Sequence, residues 1–423
     1  MRITILNQFY PPDISPTAKL AASLATHRAK KGDDVCVITS AGNYTAVSQD
    51  SQAHEAKCAN LKVLRVWTPC LGRDVLAKRV VEYLFFYCLT AIRLLVMPAQ
   101  DVIISLTTPP LIGLAALLHR LLHPRTRLVL WNMDCYPDVA ERTGHIKAGG
   151  IVSKTLRAIN QVLFHRLDHV ICLDSAMQSL ITSQYDRTGR LTSTIIPNWE
   201  PLGGFPPTRL REMSHANNAS VTLNDNFTIL YSGNMGQGHE FDTVLAAARE
   251  LSDESISFVF AGGGVQSQHI GHTSRILANV VLRSYTPLAD YITMLAHADC
   301  ALVTLRADMA GIMSPSKLHA SLAMALPVIY VGPEQSNVDD AIRRFGCGIS
   351  VRQGDTQPLL EFIRRLRRDR RYYRQLRIRA RHAFVTAYND KSNLQLFDKV
   401  LGDVTSERSD RQVRIAAHVR EVA

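Results

Sequence analysis

The sequence lacks closely paired cysteines and long uncharged apolar runs, and each of these absences excludes a class of protein. Its 8 cysteines are scattered singly without a CxxC pair, which argues against zinc ribbons and thioredoxin-type redox motifs. With 46% hydrophobic residues, 23 glycines and 18 prolines, the chain is neither disordered nor collagen-like. Residues 1–6 resemble a strand rather than a signal peptide, which favours a cytoplasmic protein.

The most apolar segment, residues 80–97 (VVEYLFFYCLTAIRLLVM), is 18 residues long and contains Glu82 and Arg93. A membrane-spanning helix needs about 20 predominantly apolar residues, so no transmembrane helix is expected. Two alternatives remain, a buried helix of the first domain or a helix that lies in a membrane interface. The second alternative is supported by nearby basic and aromatic side chains, which are Arg73, Lys78, Arg79, Tyr83, Phe85, Phe86 and Tyr87.

Positive charge is concentrated late in the chain. The formal net charge is +11, and residues 343–381 alone contain thirteen arginines against three acidic residues. Such a balance suits phosphate-bearing substrates or an anionic membrane surface, although a solvated helix face would look the same. The stretch lacks the interleaved aromatic side chains of a nucleic-acid stacking platform, so no nucleic-acid partner is expected.

Short runs rich in valine and isoleucine alternate with helical patterns along most of the chain. This alternation predicts an α/β protein with parallel sheets covered on both faces, in two doubly wound, Rossmann-like domains. Ligands of such sheets bind at the carboxyl ends of the strands, here in a cleft between the domains. The predicted boundaries are 1–200 for the first domain, 201–226 for a linker, 227–388 for the second domain, 389–404 for a C-terminal helix and 405–423 for a charged tail.

Two glycine-rich segments follow predicted strands of the second domain. Gly233 and Asn234 lie in YSGNMGQG, and Gly262 and Gly263 lie in AGGG. Glycines at such a junction let backbone amide groups approach an anion, which predicts a phosphate site. Ordinary strand–helix turns use glycine as well, so that interpretation stays open.

A third segment, GIMSPSKLH, adds a cation. Pro315 suits the first turn of a helix, and Ser316 and Lys317 stand beside the free amide groups of that turn. A hydroxyl, an ammonium and a helix N-terminus together predict a diphosphate site. A capped helix with an exposed lysine is the simpler alternative.

Several motifs resemble bacterial family 4 glycosyltransferases of the GT-B fold, most closely those of the colanic-acid and lipopolysaccharide type. In the second domain they are YSGNMG (231–236), ADCALVTLR (298–306), PSKL (315–318) and AMALPVI (323–329). In the first domain they are YPPD (10–13), TTPP (107–110), DCYP (134–137) and IPNW (196–199). The resemblance spans about residues 1–400 and implies two Rossmann-like domains that face each other across a cleft.

The resemblance implies a retaining hexosyltransferase that uses a nucleotide diphosphate sugar, expected to be UDP-linked, without a metal ion or other cofactor. The expected acceptor is a lipid-diphosphate-linked molecule or a saccharide. The enzyme is expected in the cytoplasm, bound peripherally to the inner face of the cytoplasmic membrane. Lys317 and Asp134 are the expected catalytic residues, and the acceptor side is expected at Ser15, Pro16 and Thr17. The expected donor contacts are Pro315, Ser316, Gly311, Ile312, Met313, Gly233, Asn234, Gly262, Gly263, Ser284 and Tyr285.

The sequence departs from that family where paired glutamates are common, because Ile312 and Ala320 stand in their places. An arginine and a lysine that often follow the strand ending at Ser232 are replaced by Asn234 and by Gln237 or His239. Arg306, Asp308 and His319 are candidates to compensate. Two alternatives therefore remain, a degenerate non-catalytic scaffold subunit and a nucleotide-sugar epimerase or hydrolase. An NAD-dependent dehydrogenase is disfavoured, because the first strand leads to Pro-Pro rather than to GxGxxG.

Overall fold

The structure, a computed structural model, describes residues 1–13, 15–41, 58–69, 71, 76–186, 188–204, 226–285 and 288–421, with backbone alone for 76–77, 288–289 and 407–421. Of the predicted linker, residues 205–225 lie outside the described residues, as do Arg73 and Cys70. The described chain forms two parallel sheets with helices between their strands. The α/β architecture expected from the sequence is confirmed.

The first sheet has seven strands in the order β3-β2-β1-β4-β5-β6-β7, and all neighbouring strands are parallel. Its strands are β1 Arg2–Leu6, β2 Asp34–Ser40, β3 Leu61–Val66, β4 Val102–Leu106, β5 Arg127–Trp131, β6 His169–Cys172 and β7 Ser193–Ile195. Its helices are α1 Pro16–Lys30, α2 Leu76–Val96, α3 Gly113–Leu122, α4 Asp138–Arg142, α5 Ile151–Arg166 and α6 Ser175–Tyr185. The central strands are apolar and buried on both faces, as parallel strands covered by helices require.

The second sheet has six parallel strands in the order β10-β9-β8-β11-β12-β13. Its strands are β8 Phe227–Ser232, β9 Ile256–Ala261, β10 Val280–Arg283, β11 Cys300–Thr304, β12 Val328–Val331 and β13 Gly348–Val351. Its helices are α7 Asp242–Glu250, α8 Ser267–Ser274, α9 Leu288–His297, α10 Lys317–Ala323, α11 Asn337–Phe345, α12 Thr356–Arg368 and α13 Arg370–Ala387. In both sheets the strand order reverses in the middle, which is where ligands of such folds bind.

Helix α14, Asp390–Glu421, returns to the first domain. Its Phe397 ring packs against Trp131 with the ring centres 4.6 Å apart, and Asp398 accepts hydrogen bonds from α1. The sequence predicted a charged tail after residue 404, but the helix continues to Glu421. Residues 405–421 contain neither glycine nor proline, so nothing in that stretch interrupts a helix.

Helix α2 is buried on one face only. Phe86 and Leu94 are fully buried, whereas Leu84, Ile92 and Val96 are exposed. Of the two alternatives left by the sequence, a buried helix of the first domain describes this inner face, and the exposed face leaves the interfacial helix open. Within the described part of the chain, none of the helices combines the length and apolarity that crossing a bilayer requires.

Asp398→Asn is expected to weaken the attachment of α14. The Asp398 carboxylate accepts from Arg28 Nη1 at 2.5 Å, Lys31 Nζ at 2.6 Å and His27 Nε2 at 3.0 Å. Burial opposes the charge, but these hydrogen bonds outweigh it and hold the pKa of Asp398 below its usual value. The stabilisation is therefore present above about pH 4 and is lost as the pH falls through the folded-state pKa.

At pH 7 the substitution should cost about 1–3 kcal/mol, the range for hydrogen bonds to a charged group, and near pH 3 the cost should shrink. Thermal unfolding at both pH values measures it. Asp403→Asn, on the exposed side of the same helix, is the control and should change little. An equal loss at pH 3 and pH 7 would contradict this role of the Asp398 charge.

Candidate functional site

The loop between β11 and α10 lies directly against the first domain. The Cys135 amide donates to Ile312 O at 2.8 Å, and Asp134 pairs with Met313 as an isolated antiparallel bridge. The Asn337 amide donates to Asp174 Oδ2 at 3.2 Å, which adds a second link between the domains. Because Asp134 follows β5 and Met313 follows β11, these contacts place the carboxyl ends of the two sheets face to face.

Gly311 permits the closest approach in this contact. Its φ of +70° lies in the left-handed region, and a Cβ atom built on it would be 2.6 Å from Ala176 O of the first domain. Only glycine combines that backbone conformation with that lack of volume. Gly311 therefore serves the domain contact, and its expected contact with the donor stays a prediction.

Ile312 is 4% exposed and belongs to an apolar cluster shared by both domains, together with Met133, Cys135 and Met309. This apolar seam covers the Ile312 side chain, and the expected contact between Ile312 and the donor stays a prediction. Ala320 is buried as well. Neither position, where the resembling family often has glutamate, presents a polar group to the cleft.

Lys317 opens α10, two residues later than the Pro315 start that the sequence suggested. Its ammonium lies 4.8 Å from the centre of the Tyr231 ring, and its Cε would be 3.1 Å from a Cβ on Gly233. Among the described residues, no carboxylate forms an ion pair with Lys317. Burial lowers the pKa of Lys317 to about 8, so the ammonium is still mostly cationic at neutral pH.

His239 is the polar neighbour of Lys317, and in the sequence it stands out only as a replaced position. Its Nδ1 lies 2.7 Å from Thr304 O, which can only accept, so Nδ1 carries the proton. Nε2 then holds a lone pair, 3.4 Å from Lys317 Nζ. Burial, and then the Lys317 charge, lower the pKa of His239 to about 3, so the imidazole is neutral. A neutral acceptor orients the ammonium without cancelling its charge.

The two glycine segments pack against each other. The Gly233 amide donates to Ala261 O at 2.8 Å and the Gly262 amide donates to Arg283 O at 2.9 Å, so these two amides are already paired within the protein. Gly262 has φ +138°, and a Cβ there would overlap Gly233 O. These glycines are needed for close contact between the loops.

Ser284 and Tyr285 follow β10 beside this pair of loops. Tyr285 is 65% exposed, and its hydroxyl donates to Gly263 O at 3.4 Å. Ser284 and Asn234 are exposed next to it along the same edge of the sheet. The structure thus brings together four of the predicted donor contacts, Asn234, Gly263, Ser284 and Tyr285.

The predicted acceptor-side residues are used to begin α1. Ser15 Oγ accepts from the Ala18 amide at 3.1 Å and lies 3.2 Å from Thr17 Oγ1, and Pro16 is the first helical residue. This is a local N-cap, which accounts for all three without an acceptor. They lie at the carboxyl edge of the first sheet, after β1.

Asp134 is the titratable group on the first-domain side of the seam. Its amide donates to Thr107 Oγ1 at 3.1 Å, and its side chain is half-buried. Burial raises the pKa of Asp134 to about 6. A carboxyl group with that pKa exchanges protons near neutral pH, which suits contact with reacting hydroxyl groups.

Beside the seam both domains enclose an open cleft of about 790 Å³. Among the residues that line it are Arg142, His239, Glu240, Arg306, Asp308 and Gln353. No group of three or more His, Cys, Asp or Glu side chains in the described ranges is arranged to hold a metal ion. Glu240 was missed by the sequence analysis, since nothing in its local pattern distinguishes it from a helix-capping residue.

Residues 226–369 match the family model of Glycosyl transferases group 1. WbjE of Pseudomonas aeruginosa, described as a glycosyltransferase, is 24% identical over 265 residues, which cover 62% of this chain and 65% of WbjE. WcaI of Escherichia coli K12, described as a colanic acid biosynthesis glycosyl transferase, is 25% identical over 224 residues, which cover 51% of this chain and 53% of WcaI. The chain thus spans less than two thirds of the length of either relative. The resemblance carried by the sequence motifs is confirmed.

Solved structures with the same fold include the sucrose-phosphate synthase of Thermosynechococcus elongatus, with TM-score 0.71, 12% identity and coverage of 96% of this chain and 99% of that one. Anabaena HepE in complex with UDP and glucose has a TM-score of 0.66 and 12% identity, and the match covers 95% of this chain and 99% of HepE. WaaG, a glycosyltransferase involved in lipopolysaccharide biosynthesis, has a TM-score of 0.62 and 15% identity, and the match covers 95% of this chain and 99% of WaaG. At these identities the likeness concerns the fold, and it confirms the GT-B architecture.

Asp134→Asn is expected to stabilise the protein at neutral pH. Because the folded-state pKa of about 6 lies above the unfolded value of about 4, ionisation penalises the folded state. Stability attributable to this carboxyl is complete below about pH 4 and is lost as the pH rises through about 6. The variant should therefore gain about 2–3 kcal/mol at pH 7.5 and nothing at pH 4, as thermal unfolding would measure. A gain that does not depend on pH would contradict the assignment.

Proposed function

We propose that this protein transfers a hexosyl group from a nucleotide diphosphate sugar, UDP-linked, to a lipid-diphosphate-linked or saccharide acceptor, with retention at the anomeric carbon. The family match in the second domain supports glycosyl transfer, and the two curated relatives support a role in the assembly of a cell-surface polysaccharide or glycolipid. The complex of HepE with UDP and glucose supports UDP as the nucleotide.

The observation that carries the proposal is the half-buried Lys317 ammonium, which forms no ion pair with a carboxylate in the described part of the chain. Glycosyl transfer from a nucleotide sugar leaves negative charge on the departing phosphate. A fixed ammonium at that point stabilises the charge as it develops, without a metal ion. Ser316, the residue before Lys317, adds a hydroxyl at the same end of α10.

Asp134 is the proposed contact from the first domain. Its bridge with Met313 places it opposite the segment that leads to Lys317. With its pKa raised to about 6, the carboxyl can accept or return a hydrogen bond from a reacting sugar hydroxyl near neutral pH. On the other side of the donor, the exposed Tyr285 and Ser284 are proposed to contact the nucleoside.

Lys317→Ala is expected to lower kcat by about 10² to 10³, as removal of one oxyanion donor does, with a smaller effect on KM. Ser316→Ala should cost less, because backbone amide groups remain beside the phosphate. Steady-state kinetics with UDP-sugars, after a thermal-shift panel of UDP-, GDP- and other nucleotide sugars has identified the donor, provide the measurement. Near-native turnover of Lys317→Ala with a confirmed donor would contradict the assignment of Lys317 to the departing phosphate.

Lys317→Arg separates charge from geometry. A guanidinium cannot take the position of a compact ammonium, so the rate should stay below that of the unmodified enzyme. Since the pKa of Lys317 in the free protein is about 8, kcat/KM of the unmodified enzyme should fall as the pH rises through 8, whereas kcat/KM of the Arg variant should not. Lys399→Ala, which removes an exposed lysine on α14, is the control and should leave kinetics and melting temperature unchanged.

The proposal includes binding to an anionic membrane surface, where a lipid-linked acceptor would lie. The supporting feature is an apolar face on α2 and α3, whose exposed side chains are Leu84, Phe85, Ile92, Leu95, Val96, Leu118, Leu121 and Leu122. Val96 is 73% exposed and Leu121 is 71% exposed, and Arg93 and Arg125 are exposed nearby in the chain. Apolar side chains with flanking arginines suit an interfacial contact. In the arginine-rich stretch, Arg368, Arg370, Arg371 and Arg374 are also exposed.

Flotation with vesicles should show binding that rises with the fraction of anionic lipid and falls with salt, since each basic residue near the surface contributes about 1 kcal/mol. Leu121→Glu should lower the bound fraction. Ile276→Glu makes the same chemical change at a side chain that is 65% exposed on the second domain, and it should not. A protein that stays with the soluble fraction at low salt for every vesicle composition would refute membrane binding. Self-association removed by Leu121→Glu would indicate a contact between copies instead.

A further inference from the structure

The open cleft of about 790 Å³ falls in the size range of ligand sites, and its walls come from both domains. The first domain contributes Arg142 and Thr143 at the end of α4. The second contributes Glu240, just before α7, and Arg306 and Asp308, just after β11. None of these residues is among the donor contacts expected from the sequence, although Arg306 and Asp308 were named as candidates to compensate for the missing glutamates.

Glu240 is held in place by one of its two carboxylate oxygens. Oε1 accepts from the Thr243 amide at 2.8 Å and from Thr243 Oγ1 at 3.1 Å. Oε2 is buried from solvent and has no hydrogen-bond partner among the described residues. A buried acceptor without a donor is costly, so the arrangement indicates a donor that comes from outside the protein.

Two polar neighbours in the cleft, Arg306 and Gln266, use their donors elsewhere. Arg306 donates to Asp308 through Nε at 3.0 Å and Nη2 at 2.5 Å, and through Nη1 to Gln237 O at 2.9 Å. Gln266 donates through Nε2 to Gly236 O and His239 O. These pairings leave the Glu240 carboxylate as a negative acceptor, which repels a phosphate group and suits a neutral hydroxyl donor.

We infer that Glu240 Oε2 accepts a hydrogen bond from a hydroxyl group of a sugar ring in the nucleotide-sugar donor. This inference rests on the proposed function. His239 is the adjacent residue in the chain, lines the same cleft and lies 3.4 Å from the Lys317 ammonium. A diphosphate at Lys317 carries a sugar ring on each side, the ribose and the transferred hexose, and both rings offer hydroxyl donors to the cleft that Glu240 lines.

Glu240→Gln tests the inference, because the amide oxygen can still accept from Thr243 while the second carboxylate oxygen is lost. Isothermal titration with UDP, UDP-glucose and inorganic pyrophosphate gives three affinities for each variant. The substitution should weaken UDP-glucose about tenfold or more, the scale of one hydrogen bond to a charged group. Pyrophosphate should bind as well as before or more tightly, since a negative charge has been removed. Equal weakening of UDP and UDP-glucose identifies the ribose, and weakening of UDP-glucose alone identifies the hexose.

Glu250→Gln makes the same charge change at the exposed far end of α7 and should leave all three affinities unchanged. Melting temperatures of the two variants should match, which separates binding from folding. If Glu240→Gln binds UDP and UDP-glucose as tightly as the unmodified protein, the inference is overturned and Oε2 holds only water. If the unmodified protein binds neither compound, the proposed function with a UDP-linked donor fails, and the inference falls with it.

Discussion

The contact between the 311–316 loop and the first domain determines what the rest of the site can be. The hydrogen bond from the Cys135 amide to Ile312 O fixes the distance between the two sheets, and Gly311 lets the loop meet Ala176 without a side chain between them. An apolar cluster that includes Met133 and Ile312 fills the space around these bonds. Because this seam excludes water, Asp134 at its edge is desolvated and holds its proton to a higher pH than an exposed carboxyl would.

Electrostatics on the second-domain side follow from the same exclusion of water. A carboxylate next to Lys317 would raise the lysine pKa and cancel its charge, leaving little for a phosphate ligand. His239 avoids this, because its Nδ1–H is committed to Thr304 O and the ring stays neutral. The ammonium is therefore oriented by a hydrogen-bond acceptor while its full charge remains available to an anion. Tyr231, whose ring face lies 4.8 Å from Nζ, adds a second uncharged neighbour.

Elements with strong local patterns could be predicted from the sequence, and features that depend on packing could not. The sequence predicts the strands from their valine- and isoleucine-rich runs, and it predicts the α/β architecture from the alternation of these runs with helical patterns. Lys317 stands out because it follows Pro315 and Ser316 at the start of a helix. The pairing of the Gly233 and Gly262 amides with Ala261 O and Arg283 O could not be predicted, because it depends on how neighbouring strands are placed. The free oxygen of Glu240 is likewise invisible in a sequence, since it depends on which donors distant segments leave unused. The boundaries of the domains and the roles of the site residues stay predictions.

The apolar seam also explains why polar groups lie where they do. A carboxylate in place of Ile312 would be buried beside Cys135 and Met309 without a partner, and such a charge costs more than a seam of this kind can offset. Closing the domains through apolar contacts therefore requires that groups able to hold sugar hydroxyls stand to one side of the seam. Glu240, Arg306 and Asp308 occupy that position, on the wall of the open cleft next to His239. On the proposed assignment, choice of the donor sugar depends on the open cleft, while the seam and Lys317 serve the diphosphate and the reacting bond.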